Sequence, residues 1–241
     1  MSSTPGSIGT KQPLMTITAT GLTRAAGISA AIAGLLFIGV QVNHPPMDVS
    51  SVTTTDWAVR STAKALMAAL ALAGITGMYL RQVRQTGILG FIGYSLFAAG
   101  YLLMLSIEVV AATVLPSLAH TSPTYVNDVL AVAFGGTATH GIGAMQTVFV
   151  LSSVGYLAGG CMFGIALFRA RVLARWAAAL LAAGTVATVA LAVLPESFNR
   201  PLAVPTGIAL IGLGISLWRN QPATVGDSQQ PPSRVEYAAA R

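Results

Sequence analysis

The sequence predicts an all-α polytopic membrane protein, a six-transmembrane-helix bundle with both termini on the cytoplasmic side. Three observations predict it. Of 241 residues, 54% are apolar and only 8% charged, against about 25% charged in an ordinary soluble domain. Apolar runs near the ~20 residues that a ~30 Å hydrocarbon layer requires recur along the whole chain. They do not alternate with the period of two that marks a membrane β-barrel. The third observation is an uneven distribution of Lys and Arg among the connecting segments.

Residues 1–20, "MSSTPGSIGTKQPLMTITAT", are polar and rich in Ser, Thr, Gly and Pro, the composition of a disordered tail. The first apolar run, 25–42, follows with no small-residue cleavage site after it, so it reads as a retained helix. Further runs occupy about 61–80, 88–115, 145–168, 176–194 and 201–218. Together they define a transmembrane domain over 21–219. Gly74 and Gly77 are the closest approach to a mid-helix break, and Pro201 and Pro205 suit the first turn of the sixth helix, where no backbone donor is lost. "SPTYVNDVLAVAF" carries Tyr125, Val129, Val132 and Ala133 at helical spacing and predicts a short amphipathic helix on the outer surface. Residues 220–241 are again polar and proline-bearing and read as a second tail.

Orientation follows from the basic residues, because cytoplasmic loops are enriched in them. With the N-terminus inside, the inner segments hold Lys11, Arg24, Arg81, Arg84, Arg169, Arg171, Arg175, Arg219, Arg234 and Arg241. The outer side holds Arg60, Lys64 and Arg200. Trp57, Trp176 and Trp218 then fall at predicted interfaces. The net charge of +6 is accounted for by this topology pattern, and nucleic acid is not an expected partner. The lone Cys161 excludes an intrachain disulfide.

Glu108 interrupts "LLMLSIEVVAATVLP". Gly87, Tyr94, Tyr101 and Glu108 recur every seven residues, which is nearly two helical turns, so they share one face. Such a face belongs toward the bundle interior or a wet cavity. Lys64, in the first turn of the second span, is the expected partner of Glu108, with His140 and Gln146 at the start of the fourth span as further hydrogen-bonding candidates. The acid is then a structural ion pair, a functional carboxylate, or a group solvated at the interface. Gln146, Ser153 and Gly160 form a second stripe at sevens. Gly155-xxx-Gly159, Gly160-xxx-Gly164 and Ala30-xxx-Gly34 are small-residue spacings that bring helices close.

His44, His120 and His140 all fall on the outer side. None stands at i,i+3 or i,i+4 to another, and neither a His-Glu-x-x-His helix nor a Gly-x-Ser-x-Gly elbow occurs. No catalytic residue, metal or cofactor is therefore expected. "GLLFIGVQVNHP", "LAGITGMYLRQVRQTGILGFIGY", "YLAGGCMFGIALFRARVLARW" and "LPESFNRP" resemble, in layout and composition over about 21–219, small multi-pass bacterial integral membrane proteins. The resemblance implies a six-helix bundle in the cell membrane and assigns no activity. Three functions stay open. The first is a non-catalytic accessory or interaction protein, partnered by the bilayer, a second copy or another membrane protein. The second is a small transporter or proton-linked permease using Glu108 and Tyr101. The third is an outer-face metal-dependent enzyme.

Overall fold

The computed structural model describes residues 18–189 and 200–220. Its elements are α1 (Ala19–Gly39), α2 (Val49–Val52), α3 (Thr55–Arg81), α4 (Val83–Thr113), α5 (Leu115–Leu118), α6 (Pro123–Ala133), α7 (Ala144–Val154), a π-helical turn (Gly155–Gly159), α8 (Gly160–Ala170), α9 (Arg175–Ala187) and α10 (Ala203–Arg219). No strand occurs among the described residues. Four helical stretches, α1, α3, α4 and the continuous α7–π–α8, have the length and apolarity to cross a membrane. α9 and α10 are shorter apolar helices. Large apolar side chains such as Leu35, Leu66, Leu80, Ile88, Phe91 and Leu102 face outward. A surface of this kind suits lipid and not water, and the protein is membrane-embedded.

Local chemistry sets the helix starts. The Thr18 hydroxyl accepts from the Gly21 N–H and starts α1 six residues before the apolar run begins. Thr54 caps α3 by accepting from Trp57 N–H, and Asp56 in its first turn complements the helix dipole. α9 is described to Ala187. Residues 190–194 of the fifth apolar run, the "LPESFNRP" turn up to Asn199, and both predicted tails apart from Thr18–Thr20 and Asn220 lie outside the described residues.

The long helices close into a ring. α1 packs on α3, α3 on α4, α4 on α7–π–α8, α8 on α9, α9 on α10, and α10 returns to α1. Lipid gives helices no hydrophobic reason to associate, so close van der Waals contact must hold them, and glycine permits it. On α1 and α10, Gly27 faces Gly214, and Gly34 faces Gly207, so closely that a Cβ on Gly27 would lie 2.7 Å from the Gly214 carbonyl oxygen. The α3–α1 contact uses Gly74 and Gly77 against Ala30 and Ala26. α3 is continuous through both glycines, so the expected weak point is a packing site and not a break.

The breaks lie elsewhere. Gly87 has φ +57° and ψ −153°, which interrupts α4 one turn from its start. It therefore begins the predicted heptad stripe as a kink. The second irregularity is the π turn, whose wider winding re-aims the helix. Gly155 and Gly159 meet α4 at Gly100 and Phe97, whereas Gly160 and Gly164 meet α9 at Thr185 and Ala182. One rod thus offers a small-residue face to two neighbours.

The two ends of the ring differ. One, the arginine end, carries Arg24, Arg81, Arg84, Arg169, Arg171, Arg175 and Arg219. The other, the histidine end, carries α2, α5 and α6. These short elements share a small core of Val52, Trp57, Ala111, Leu115, Val126, Val129, Leu130 and Ile142. The buried face of α6 is Val126, Val129 and Leu130, with Tyr125 and Val132 only partly covered. Trp57 does not sit at a lipid interface. It is 3% exposed, and its indole N–H donates to the Ala111 carbonyl at 2.9 Å, tying α3 to the end of α4. Trp176 and Trp218 are exposed, at 59% and 47%.

Candidate ligand cavity at the histidine end

The heptad stripe on α4 turns toward α3 and the bundle centre. The Tyr94 ring stacks on Tyr79 at 4.5 Å between centroids, and its hydroxyl lies 3.1 Å from Thr76 Oγ1. Tyr101 is fully buried among Phe97 and Tyr156, and its hydroxyl has no hydrogen-bond partner among the described residues. Two turns further, Glu108 Oε1 lies 3.9 Å from Lys64 Nζ, both side chains being less than one-fifth exposed.

His140 and Gln146 are not part of this cluster. Asp128 on α6 holds the turn before α7 by accepting from Thr139 N–H, the Thr139 hydroxyl and His140 N–H, and its Oδ2 lies 3.2 Å from His140 Nδ1. These donors, Thr139 N–H foremost, hold the Asp128 pKa below the usual carboxylate value. The loop thus claims His140 before it could reach Glu108. Gln146 and Ser153 are exposed. The neighbouring Ser152 is the buried one, donating to the Gly100 carbonyl at 3.2 Å.

Lys64 has a second partner that the sequence did not announce. His44 donates from Nδ1 to the Pro45 carbonyl at 2.9 Å. That fixes the tautomer and leaves the Nε2 lone pair to accept from the Lys64 ammonium at 3.0 Å. The His44 ring also meets the Trp57 ring edge-on. Burial first, then Lys64, with smaller contributions from Arg200 and Arg60, lower the His44 pKa from 6.5 to about 4. His44 is neutral at neutral pH. Its folded pKa lies below the unfolded value, so its contribution to stability is complete above pH 6.5 and fades as pH falls toward 4. Stability against denaturation in detergent should therefore drop between pH 7 and pH 5, and His44→Gln should flatten that drop. An unchanged slope in the variant would remove His44 as its source.

Lys64, His44 and Gln41 face a cavity of about 660 Å³ at the centre of the histidine end. Every long helix or its flank contributes to the wall: Gln41 and His44 after α1, Lys64 on α3, Met104 on α4, Phe149 to Leu157 along α7 and the π turn, Thr188 after α9, and Arg200 before α10. α6 and the residues after it, Val132 to Gly136, form the remaining side. The Arg200 guanidinium donates to the Gln41 side-chain oxygen at 3.3 Å and lies over the Phe134 ring. Burial, then Arg60, hold its pKa below the ordinary guanidinium value, which still leaves it charged at neutral pH. Tyr156, in the π turn, lies at the cavity wall and donates to the Thr206 hydroxyl at 3.1 Å. Stacked on Phe37 and tilted against Phe97, it heads an aromatic cluster that fills the centre of the bundle.

Glu108 does not line this cavity. It faces Lys64 from a separate pocket of about 40 Å³, walled by Trp57, Leu115, Leu130 and Met145 among others. Nor do the three histidines converge. His44 is at Lys64, His140 at Asp128, and His120 is exposed after α5, and the described residues contain no group of three or more metal-ligating side chains. The sequence did carry a signal for the cavity cations: Lys64 and Arg200 are two of the three basic residues on the predicted outer side. Their convergence depends on ring closure, which no local spacing encodes. No family model, curated protein or solved structure matches the chain.

Proposed function

We propose that the protein crosses the cell membrane six times with both termini cytoplasmic. In this reading it is a non-catalytic membrane protein that receives a ligand or a partner's group from the outer side in the cavity at the histidine end. The observation that carries the reading is the cavity itself. Its volume falls within the roughly 300–1,000 Å³ of ordinary ligand sites, all six long helices or their flanks build it, and aromatic side chains fill the bundle centre beside it. The six-span topology draws support from the ring, in which α9 and α10 complete the circuit begun by the four longer rods. The orientation draws support from the clustering of seven arginines at the opposite end. The proton-linked permease has less behind it, because Glu108 sits behind Lys64 and Tyr101 is sealed in the core. The metal-enzyme reading has separated histidines against it.

Cysteine labelling tests this. In a Cys161→Ser background, Ser50→Cys, Thr121→Cys and the cavity residue Thr188→Cys should react on intact cells with an impermeant thiol reagent. Gln85→Cys, in the first turn of α4 at the arginine end, should react only after permeabilisation. Reaction of Gln85→Cys in intact cells overturns the orientation, and an inert Thr188→Cys overturns the open cavity.

A further inference from the structure

The cations of the cavity wall come from one side, and the α7 side adds only the neutral hydroxyls of Ser152, Ser153 and Tyr156 to its apolar groups. Gln41, His44, Lys64 and Arg200 come from the α1, α3 and α10 side, whereas Met104, Val132, Phe134 and Phe149 come from the α4, α6 and α7 side. Among the described residues, no carboxylate lines the cavity. The acids described at this end are engaged elsewhere. Asp56 holds Arg60 at 2.9 Å, Asp48 caps α2 through Ser51 N–H, Asp128 staples its loop, and Glu108 faces only the far side of Lys64. Arg200 has no carboxylate partner among the described residues. Glu196, four residues before it in sequence, lies outside them.

A cation without an acid in a recess walled by low-dielectric protein concentrates anions. The planar guanidinium fork matches the paired oxygens of phosphate and carboxylate, and the Lys64 ammonium adds a point charge. Neutral His44 spends its lone pair on Lys64 and brings no competing negative charge. We infer that the cavity binds an anionic group, a phosphate or carboxylate, between Lys64 and Arg200, with an apolar portion of the same molecule against Met104, Val132 and Phe149. The inference rests on the cavity being open as proposed above. The anion comes either from the headgroup of a membrane amphiphile or from a small soluble molecule.

Protection of Thr188→Cys from thiol modification reads binding and separates the two sources. The protein is placed in phosphatidylcholine nanodiscs. One series is doped with phosphatidic acid, and another receives inorganic phosphate against sodium chloride of equal ionic strength. At a ligand level of about four times Kd, the modification rate should fall about fivefold. Protection by phosphatidic acid alone assigns a lipid headgroup, and protection by inorganic phosphate assigns a soluble anion. Arg200→Gln should abolish protection and Arg200→Lys should retain it. Arg60→Gln should also retain it, because Arg60 is held by Asp56 and the Val40 and Val42 carbonyls. If Arg200→Gln does not fold, the paired Lys64→Gln/Glu108→Gln variant, which removes the other cation with its acid, should show the same loss. A reactive Thr188→Cys that neither anion protects, or protection that survives loss of either cation, overturns the anion site while leaving the open cavity standing. An unreactive Thr188→Cys instead strikes the open cavity itself.

Discussion

Gly34→Leu should prevent the first and last helices from meeting, with a loss of at least ~3 kcal/mol in detergent stability, at or beyond the upper end of ordinary overpacking. The reason is that the obstruction is main chain. A Cβ at Gly34 would run into the Gly207 carbonyl and would stand 2.7 Å from the Ile211 side chain. A flexible side chain could move aside, but the backbone of α10 cannot without opening the ring. Gly207→Leu should do the same from the other side. The double variant should cost less than the sum, because both changes destroy one contact. Gly39→Ala is the control: nothing lies within 4 Å of a Cβ there, and replacing a helical glycine by alanine favours the helix by up to ~1 kcal/mol. If Gly34→Leu unfolds at the same denaturant concentration as the parent, α1 and α10 do not touch at the backbone.

The second large effect belongs to Lys64 and Glu108. Removing one member of a buried ion pair costs ~3–5 kcal/mol, since the remaining charge is left uncompensated. The surroundings make the two deletions unequal. After Glu108→Gln, the Lys64 ammonium keeps His44 Nε2 at 3.0 Å and its exposure to the cavity. After Lys64→Met, Glu108 is left in an apolar pocket with Trp57, Leu115 and Leu130 and no other cation among the described residues. Lys64→Met should therefore be the more damaging, and the double variant should cost less than the two added together. Strict additivity would mean that the 3.9 Å separation carries no interaction.

The helices were legible because lipid demands length and apolarity, and both are local properties of a sequence. The approach of Lys64 to Glu108 was legible for a related reason. One sits a few turns into α3 and the other near the end of α4, and adjacent antiparallel helices bring such positions level. Arg200 was not legible as a neighbour of His44 and Gln41, because that contact joins the flank of α10 to the flank of α1 across the whole chain. The π turn was hidden as well. "GYLAGG" advertises small residues, but the choice between continued α-helix and one wide turn is made by what α4 and α9 present on either side. His140 misled through proximity in sequence to Gln146. The loop's backbone donors needed an acceptor, and Asp128 took the histidine along with them.

The pairing of Gly27 and Gly34 with Gly214 and Gly207 also has a consequence for biosynthesis. α1 leaves the ribosome well before its partner α10, 173 residues separating Gly34 from Gly207. At the usual elongation rate of about 5–20 residues per second, that is a wait of roughly 10–35 s. During it, one face of α1 finds α3 early, while the glycine face stays bare in the membrane. The ring can close only after α10 has been made. A chain stopped before α10 would carry a permanently open seam of glycine, the surface by which a quality-control factor could tell a finished copy from an unfinished one.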